Sequence, residues 1–464
     1  MRQKLRLDDV SGPFELKNCP FATFSINAGL YRLEMRPYIR ASLPHGRLRI
    51  RKAAQSILAD RGSLELHYYH DAEELTRALS PDIPVLLNRP HAARRAARYF
   101  VEQFPGKPLY AVKANPSPAL LQLLWEEGVT HFDVASIDEV RIVRAALPEA
   151  TLCYMNPVKQ LASIREAYRD HGVRIFSLDS LEELEKIELG TELAEDLTLC
   201  VRIRVASEFA EISLASKFGI DVDESAELLQ RARQTADSLG ICFHVGSQAM
   251  TPLAFVHALE RVRTAIVGAS VTVDIVNVGG GFPSIYPDLK PVSLNHYFTA
   301  IDRTFEDLPI SYSAELWCEP GRALSAEYSS LLVKVERRRG NELYINDGAY
   351  GTLFDAAHIG WRFPVRQIGV ESDNSTTTGF SFYGPTCDDM DFMAGPFDLP
   401  DDIKAGDYIE IGMLGAYGSA MRTKFNGYGS SEEYDVTDEP MASLYVGENL
   451  DRSDRDNVVS FPSL

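Results

Sequence analysis

The stretch PLYAVKANPSP, residues 108–118, places Lys113 at the end of an apolar run. The letters LYAV are typical of a short buried strand, and an Asn-Pro turn follows the lysine. Burial of an ammonium is costly, so lysine is rarely found unpaired in a core. A lone lysine at a strand end is more often solvated or ion-paired than functional. Lys113 therefore needs chemically matched neighbours before it indicates a function.

A later stretch, NVGGGFP, contains Gly279, Gly280 and Gly281. Three glycines let backbone N–H groups approach a ligand closely, which suits a phosphate group, although a tight turn would use the same residues. A lysine beside a phosphate site suggests pyridoxal phosphate, which needs a lysine, a phosphate cradle and a partner for its pyridine nitrogen. Glu319, in CEPGRAL, is a candidate for that partner, and an ion pair with Arg322 is the alternative.

Polar residues also end the other apolar runs. His244 follows Phe243 and could lie flat against a cofactor ring, whereas a lone histidine is more commonly a hydrogen-bonded core residue. In a parallel barrel the reactive groups lie at the carboxyl ends of the strands, so these residues are compared as one set. Besides the lysine and the glycines, the set contains Asp133, Ser136, Arg202, His244, Ser247, Glu319 and Arg322.

The elements that must position this set form a repeated unit of strand, turn and helix. Eight apolar runs, from PLYAVKAN to ELWCEPGRAL, alternate with helical stretches. Ser117, Pro118 and Gly128 mark the start and the end of the first of these helices. The pattern is typical of an α/β fold and predicts a (β/α)8 barrel over residues 81–325. A doubly wound open sheet is the alternative, but it commonly stops near about six strands.

The pattern changes after residue 325, where strand-like segments follow one another without helices. They are LLVKVERR, ELYINDGAY, FPVRQIGV, TGFSFYGPT and DYIEIGML. This predicts a second, mostly antiparallel β domain over residues 326–440. The segment IPVLLN, which precedes the barrel, is expected to add a strand to that domain. Residues 1–80, with a basic patch at GRLRIRKAAQ, are predicted to form a partly ordered N-terminal extension. Residues 441–464 are predicted to form a peripheral polar tail.

Composition and charge exclude several classes of function. The 464 residues include 66 acidic and 47 basic side chains, a net charge of −19, and no long basic run, which argues against a nucleic-acid partner. Neither a signal peptide nor a membrane-spanning apolar run is recognisable, so we expect a cytoplasmic protein with no membrane partner. The six cysteines and ten histidines show no metal-ligand spacing, so no metal is expected.

Eight motifs, in chain order, resemble a known family. They are YAVKAN, FDVAS, FHVGSQ, NVGGGFP, CEPGR, NDGAYG, YGPTCDDMD and GAYG. This series is similar to the fold-type III amino-acid decarboxylases that depend on pyridoxal phosphate, the ornithine and diaminopimelate decarboxylase group. The resemblance runs from about residue 84 to about residue 430. It implies a homodimer in which the β domain of one subunit completes the active site of the other.

The resemblance assigns roles to the residues of the set. It implies that Lys113 binds the cofactor covalently, with Asp133 beside it. His244 would stack on the cofactor ring, and Glu319 would contact the pyridine nitrogen. The phosphate site would comprise Ser247, Gly279, Gly280, Gly281 and Tyr417, and the same pocket would be lined by Arg202 and Arg322.

The implied reaction is the decarboxylation of a basic L-amino acid. Cys387 would protonate the α-carbon after CO2 leaves, and Asp388 would pair with a distal ammonium across the dimer interface. Asp355, in GTLFDAAH, is a candidate second acidic contact, although the spacing there departs from the family pattern. The implied substrate is L-ornithine, which gives putrescine in polyamine biosynthesis. L-lysine, which gives cadaverine, is the alternative, because the two substrates differ by one methylene.

Three other functions are weighed against this one. Diaminopimelate decarboxylases tend to have glutamate and serine after the cysteine, where this chain has Asp388. Amino-acid racemases on the same fold typically place an arginine at the pyridine nitrogen, so Glu319 argues against them. A non-catalytic binding protein derived from a decarboxylase would be expected to lose cofactor residues, and here Lys113, Glu319 and Cys387 are all present.

Overall fold

The barrel and the β domain both lie in the part of the chain that the structure describes. The structure, a computed structural model, describes residues 69–205, 209–214, 216–369 and 376–445. The basic patch, Cys19 and the tail beyond residue 445 lie outside the described residues. Within these ranges, no helix has the length and apolar character needed to cross a membrane.

Parallel strands close into a barrel. Strand β1 (Val85–Asn88) precedes the barrel and belongs to the second domain. The barrel strands are β2 (Lys107–Ala111), β3 (His131–Val134), β4 (Thr151–Tyr154), β5 (Ile175–Leu178), β6 (Thr198–Arg202), β8 (Ser238–Cys242), β10 (Ile275–Asn277) and β11 (Glu315–Cys318). Between them, β7 (Ala210–Ile212) and β9 (Ser247–Ala249) pair antiparallel in a small ladder of their own.

Barrel closure distinguishes this fold from an open sheet. Strand β11 pairs with β2, with Trp317 opposite Lys107 and Cys318 opposite Pro108, so the last strand meets the first. The strands are short apolar runs because the barrel interior covers one face and the helices cover the other. The (β/α)8 barrel predicted from the sequence is confirmed, and the doubly wound alternative is excluded.

Helices alternate with the barrel strands, and some of them begin at residues whose side chains cap the first turn. Ser136 accepts a hydrogen bond from the Glu139 backbone N–H at 3.2 Å, and the Glu139 carboxylate accepts one from the Ala135 N–H at 2.7 Å. This reciprocal capping assigns Ser136 a structural role. The helices are Ala72–Leu79, Pro90–Gln103, Pro118–Glu126, Ile137–Ala146, Leu161–His171, Leu181–Thr191, Ser225–Thr235, Leu253–Ala269, Leu294–Glu306, Arg322–Ser325 and Phe354–His358.

The second domain is a mostly antiparallel sheet, as predicted. Strand β1, from the predicted segment IPVLLN, pairs antiparallel with β12, and the parallel pairs are β13 with β15 and β1 with β18. Two of its strands, β16 and β18, were not predicted. The strands after the barrel are β12 (Ser329–Arg339), β13 (Glu342–Ile345), β14 (Val365–Gln367), β15 (Thr377–Tyr383), β16 (Phe392–Pro400), β17 (Tyr408–Ile411) and β18 (Glu432–Asp435).

The packed structure extends past both predicted domain boundaries. Ala72 and Leu75 are fully buried against strand β1, so the folded part begins before residue 81. At the other end, Leu444 and Tyr445 are 8% and 9% exposed and pack into the barrel core. Two apolar side chains in an otherwise polar stretch are thus buried, while the domain boundaries themselves stay predictions.

Candidate active site

Lys113 lies just beyond strand β2, in a single 3-10 turn, Val112–Ala114. Its Nζ donates to the Oδ2 of Asp133 at 2.6 Å, and Asp133 is 2% exposed on the neighbouring strand β3. Burial lowers the pKa of the Lys113 amine, but the charges of Asp133 and Glu319 outweigh burial, so the pKa lies above its ordinary value. The structure therefore gives this ammonium a carboxylate partner at the carboxyl end of the barrel.

The turn that carries Lys113 is held from two sides. On the barrel side, the Tyr110 hydroxyl donates to the backbone carbonyl of Asn115 at 3.0 Å. On the side of the β domain, the Tyr417 N–H donates to the Ala114 carbonyl at 2.7 Å, and the Asn115 amide donates to the Gly415 carbonyl at 2.8 Å. The backbone of the GAYG motif thus contacts the lysine turn directly, at Tyr417 and at Gly415.

Glu319 follows strand β11 and is 7% exposed. The Nδ2 of Asn277 donates to its Oε1 at 2.7 Å. Burial raises the pKa of the Glu319 carboxyl to about 7, and the charge of Asp133 adds to the rise, whereas the charges of Lys113 and Arg202 oppose it. A carboxyl with a pKa near neutrality can exchange a proton with a basic ring nitrogen at little cost in free energy.

The glycine loop after strand β10 leaves no room for side chains. Gly279 has φ +67°, and a Cβ there would lie 2.0 Å from the backbone oxygen of Phe243. A Cβ at Gly280 would lie 2.9 Å from the Nε2 of His244 and 2.8 Å from the backbone oxygen of Glu319. The loop therefore needs glycine in order to lie against His244 and Glu319.

His244 is held as a neutral imidazole. The Gly246 N–H donates to its Nδ1 at 3.0 Å, so the ring proton is on Nε2. Burial, together with the charges of Arg202 and Lys113, holds the pKa of His244 well below its ordinary value. An uncharged ring is suited to packing against a flat cofactor, and stacking by His244 stays a prediction. Ser247 begins strand β9 nearby, opposite Ile212.

Arg322 is buried, at 5% exposure, and its contacts come from the β domain and a barrel loop. It donates to the Tyr286 hydroxyl at 3.0 Å and to the Oδ2 of Asp355 at 3.2 Å, and its guanidinium lies 4.3 Å from the centre of the Trp361 ring. The ion pair that Arg322 makes in the described residues is with Asp355 and not with Glu319. Asp355 is therefore placed against one of the two arginines that were predicted to line the cofactor pocket.

Cys387 and Asp388 lie in the connection between strands β15 and β16, residues 384–391. The Cys387 N–H donates to the Oδ1 of Asn426 at 3.1 Å, and the Tyr350 hydroxyl donates to the Oδ2 of Asp388. That hydroxyl and the Met390 N–H lower the pKa of Asp388. Among the described residues, no hydrogen bond or ion pair joins Cys387 or Asp388 to the turn that carries Lys113. The structure of one chain thus does not bring the two groups together.

Comparison with known families decides what this arrangement is. Two family models match the chain: the pyridoxal-binding domain of the pyridoxal-dependent decarboxylases over residues 91–326, and their C-terminal sheet domain over residues 298–415. The chain belongs to the pyridoxal-dependent decarboxylase family. Membership makes this decarboxylase a carboxy-lyase that uses pyridoxal phosphate, as the lysine, the glycine loop and Glu319 predicted.

Individual relatives agree with the family. The decarboxylase is 32% identical to a lysine/ornithine decarboxylase of Selenomonas ruminantium over 357 residues, which is 74% of this chain and 86% of that protein. It is 32% identical to the ornithine decarboxylase of Mus pahari over 366 residues, 73% of this chain and 77% of that one. The arginine decarboxylase of Paramecium bursaria Chlorella virus, solved with agmatine, matches with a TM-score of 0.70 at 26% identity over 78% of this chain and 99% of that one.

The residues of the barrel mouth fit pyridoxal phosphate. The Nε of Arg322 is buried and has no hydrogen-bond partner among the described residues, so it offers a free donor to a phosphate oxygen. The loop from Gly279 to Gly281 provides a surface that only backbone can line. Lys113 would hold the aldehyde carbon, and Glu319 would contact the pyridine nitrogen. Arg202, whose guanidinium lies 5.6 Å from the Phe218 ring, adds positive charge to the same region.

Sequence reasoning missed several residues that shape this site. Asn277 is fully buried and bonds both Glu319 and the glycine loop; a polar residue inside the run IVNV was the available signal. The buried Asp391 accepts from the Ala349 N–H at 2.7 Å and the Thr386 hydroxyl at 2.7 Å, which fixes the connection that carries Cys387. Asp391 is the last residue of the motif CDDMD, but its hydrogen-bond partners could not be predicted from the sequence.

Proposed function

We propose that this enzyme removes the α-carboxylate of a basic L-amino acid as CO2, with L-ornithine as the preferred substrate and L-lysine as the second. Putrescine and cadaverine would be the products, and putrescine is a precursor for polyamine biosynthesis. Support comes from the relatives, which are named for ornithine and for lysine. The observation that carries the proposal is Asp388, a carboxylate with a lowered pKa beside a free thiol.

The residues of this chain divide the work of the reaction. Bound pyridoxal phosphate supplies an electron-withdrawing ring that stabilises charge on the substrate α-carbon. Lys113 would hold the cofactor through its Nζ, and Glu319 would keep a proton at the pyridine nitrogen. Arg322 and the glycine loop would hold the phosphate group. The Cys387 thiol returns a proton to the α-carbon.

Asp388 provides the end of the pocket that recognises the substrate. Its hydrogen bonds from the Tyr350 hydroxyl and the Met390 N–H stabilise the ionised carboxylate, so it stays negative at neutral pH. A terminal ammonium would pair with it through a charge-assisted hydrogen bond. The diaminopimelate end group carries its own carboxylate, which this aspartate would repel.

We further propose that the enzyme is a homodimer that places Cys387 and Asp388 in the partner's barrel. The connection that carries them is bordered by exposed apolar side chains, with Met390 63% exposed, Phe425 41% and Tyr428 46%. The Phe425 ring contacts Tyr350, whose hydroxyl binds Asp388, so this apolar surface is continuous with the polar pair. Clustered exposed apolar side chains are typical of a surface that another chain covers.

A panel of amino acids tests the substrate proposal. Purified protein with added pyridoxal phosphate is assayed for CO2 release from L-ornithine, L-lysine, L-arginine and meso-diaminopimelate. We expect kcat/KM to be highest for ornithine and lower for lysine by about tenfold to hundredfold, the scale of one methylene. Preferred turnover of arginine or diaminopimelate would overturn the proposal.

Replacing Asp388 with asparagine is expected to lower kcat/KM for ornithine by about tenfold to hundredfold, mainly through KM. The amide keeps the shape of the carboxylate but loses the charge that pairs with the distal ammonium. Asp389→Asn is the matched control, because that neighbouring carboxylate is exposed and its replacement should leave the kinetics unchanged. Equal kinetics in Asp388→Asn and wild type would show that another group recognises the distal amine.

Mixing two inactive variants tests the shared active site. Lys113→Ala and Cys387→Ala are each expected to be inactive, but co-refolded or co-expressed chains form heterodimers that contain one intact site. Random pairing then predicts about 25% of wild-type activity, because half of the dimers are mixed and one of their two sites is complete. Activity no higher than that of the separate variants would mean that each chain builds its site alone.

A further inference from the structure

Asn277 is the first residue of the motif NVGGGFP, and no role is predicted for it from the sequence. It ends strand β10, between Cys242 of β8 and Trp317 of β11, and it is fully buried. Its Nδ2 donates to the Oε1 of Glu319 at 2.7 Å, and its Oδ1 accepts from the Gly279 N–H at 2.9 Å. A single side-chain amide therefore joins the carboxylate to the glycine loop.

Chemistry fixes which way this amide faces. A backbone N–H can only donate, so the amide oxygen must face Gly279. The NH2 group must then face Glu319, whose oxygen accepts from it. The orientation is the one that favours an ionised carboxylate, because a donor stabilises negative charge on the oxygen it contacts.

We propose that Asn277 is a positioning residue that holds the Glu319 carboxylate toward the cofactor ring and ties it to the phosphate-binding glycine loop. One buried side chain then fixes the position of the Glu319 carboxylate relative to the glycine loop. Fixed geometry at both ends reduces the ordering cost of binding, which is the usual benefit of a preorganised site. The proposal holds for whichever basic amino acid is the substrate.

The charged groups around Glu319 act on its pKa in opposite directions, and the neutral Asn277 amide adds to those that lower it. Asp133 faces it with like charge and raises its pKa, whereas Lys113 and Arg202 face it with opposite charge and lower it. Asn277 is the uncharged group that also lowers the pKa. The other titratable groups that interact with Glu319 are the thiols of Cys153, Cys200, Cys242 and Cys318. Burial and the charge of Asp133 both raise the pKa of Glu319, and the Asn277 amide opposes them. Loss of this amide should therefore raise the pKa of Glu319 further.

The test is made on the apoprotein and needs no substrate. Thermal midpoints of wild type and Glu319→Gln are compared from pH 5 to pH 9, and their difference reports the ionisation of Glu319. In an Asn277→Ala background we expect the folded-state pKa of Glu319 to rise by about one unit, a tenfold change in proton affinity. The unfolded-state pKa does not change, so the midpoint of the difference curve should move up by about half a pH unit. Asn277→Ala is also expected to weaken pyridoxal phosphate binding by about tenfold, measured by cofactor titration.

A near-isosteric variant separates the two hydrogen bonds. Asn277→Asp keeps an oxygen for the Gly279 N–H but places an acceptor against Glu319, so we expect the pH midpoint to rise while cofactor affinity changes by less than about threefold. This variant also guards against poor folding of Asn277→Ala.

The matched control is Asn88→Ala, which removes a buried asparagine that accepts from Ser329 in the β domain. It is expected to lower stability without moving the pH midpoint. If neither Asn277 variant moves the midpoint, or if Asn88→Ala moves it equally, the proposal is wrong. Because no substrate is used, that result would leave the proposed ornithine specificity untouched.

Discussion

Replacing Lys113 with alanine is expected to abolish CO2 release, with a loss on the order of 10⁴-fold or more. The variant lacks the amine that holds the cofactor, and no other lysine among the described residues is hydrogen-bonded to Asp133. Loss is measured as CO2 released at saturating ornithine and cofactor. The visible absorbance of protein-bound pyridoxal phosphate provides a second reading that does not depend on turnover.

Lys107→Ala is the matched control for this experiment. Lys107 stands at the opposite end of strand β2, where its Nζ pairs with the Oε2 of Glu315 at 3.0 Å, and its side chain is 36% exposed. Its removal deletes the same kind of side chain from the far end of the strand that leads to Lys113, and activity should stay near that of wild type. Turnover by a cleanly purified Lys113→Ala protein would contradict the role assigned to Lys113.

Replacing Glu319 with glutamine is expected to lower activity by about 10²-fold to 10³-fold, the usual effect of removing a group that stabilises developing charge. The amide cannot keep a proton at the ring nitrogen, so the cofactor withdraws electrons less strongly. Its oxygen still accepts from Asn277, and its NH2 can face Asp133, so the fold should tolerate the change. The measurement is kcat with ornithine at saturating cofactor.

The same substitution is expected to stabilise the apoprotein at alkaline pH. The folded-state pKa of Glu319 is raised to about 7 from an ordinary 4.5, so its stabilising contribution is complete below pH 4.5 and is lost as pH rises through 7. A shift of that size corresponds to on the order of 3 kcal/mol. Glutamine does not ionise, so Glu319→Gln should melt higher than wild type above pH 7. Equal melting at pH 8 would mean that Glu319 ionises freely in the fold.

The barrel could be predicted because its strands are continuous apolar runs separated by helix caps. A strand that is covered on both faces needs apolar residues at nearly every position, so it is recognisable in the sequence as a continuous apolar run. Strand β16 could not be predicted, because Gly395 and Pro396 favour a turn. Tertiary pairing overrides that preference, since Phe397 lies opposite Phe380 on strand β15. Strand β18 was missed because EEYD lacks apolar letters and is ordered by its pairing with β1.

Candidate site residues could be predicted where a chemically suitable side chain directly follows a predicted barrel strand. Lys113, His244 and Glu319 could be chosen because each follows a barrel strand, and topology brings strand ends together. Residues of the site that come from distant parts of the chain could not be predicted from the sequence. Asp355 lies in the β domain and contacts Arg322 at the end of the barrel, a long-range pairing that no local pattern specifies.

Both domains form hydrogen bonds to the turn that carries Lys113, and this should affect how long the enzyme persists in a cell. Cofactor at Lys113 and Glu319 would engage the turn that Gly415 and Tyr417 of the β domain also hold, so its departure would loosen the contact between domains. A ligand that binds only the folded state at about a hundred times its Kd adds about 2.7 kcal/mol of stability. Proteases attack the opened fraction of a protein. The abundance of this decarboxylase should therefore follow the supply of pyridoxal phosphate, and starved cells should lose the protein as well as its activity.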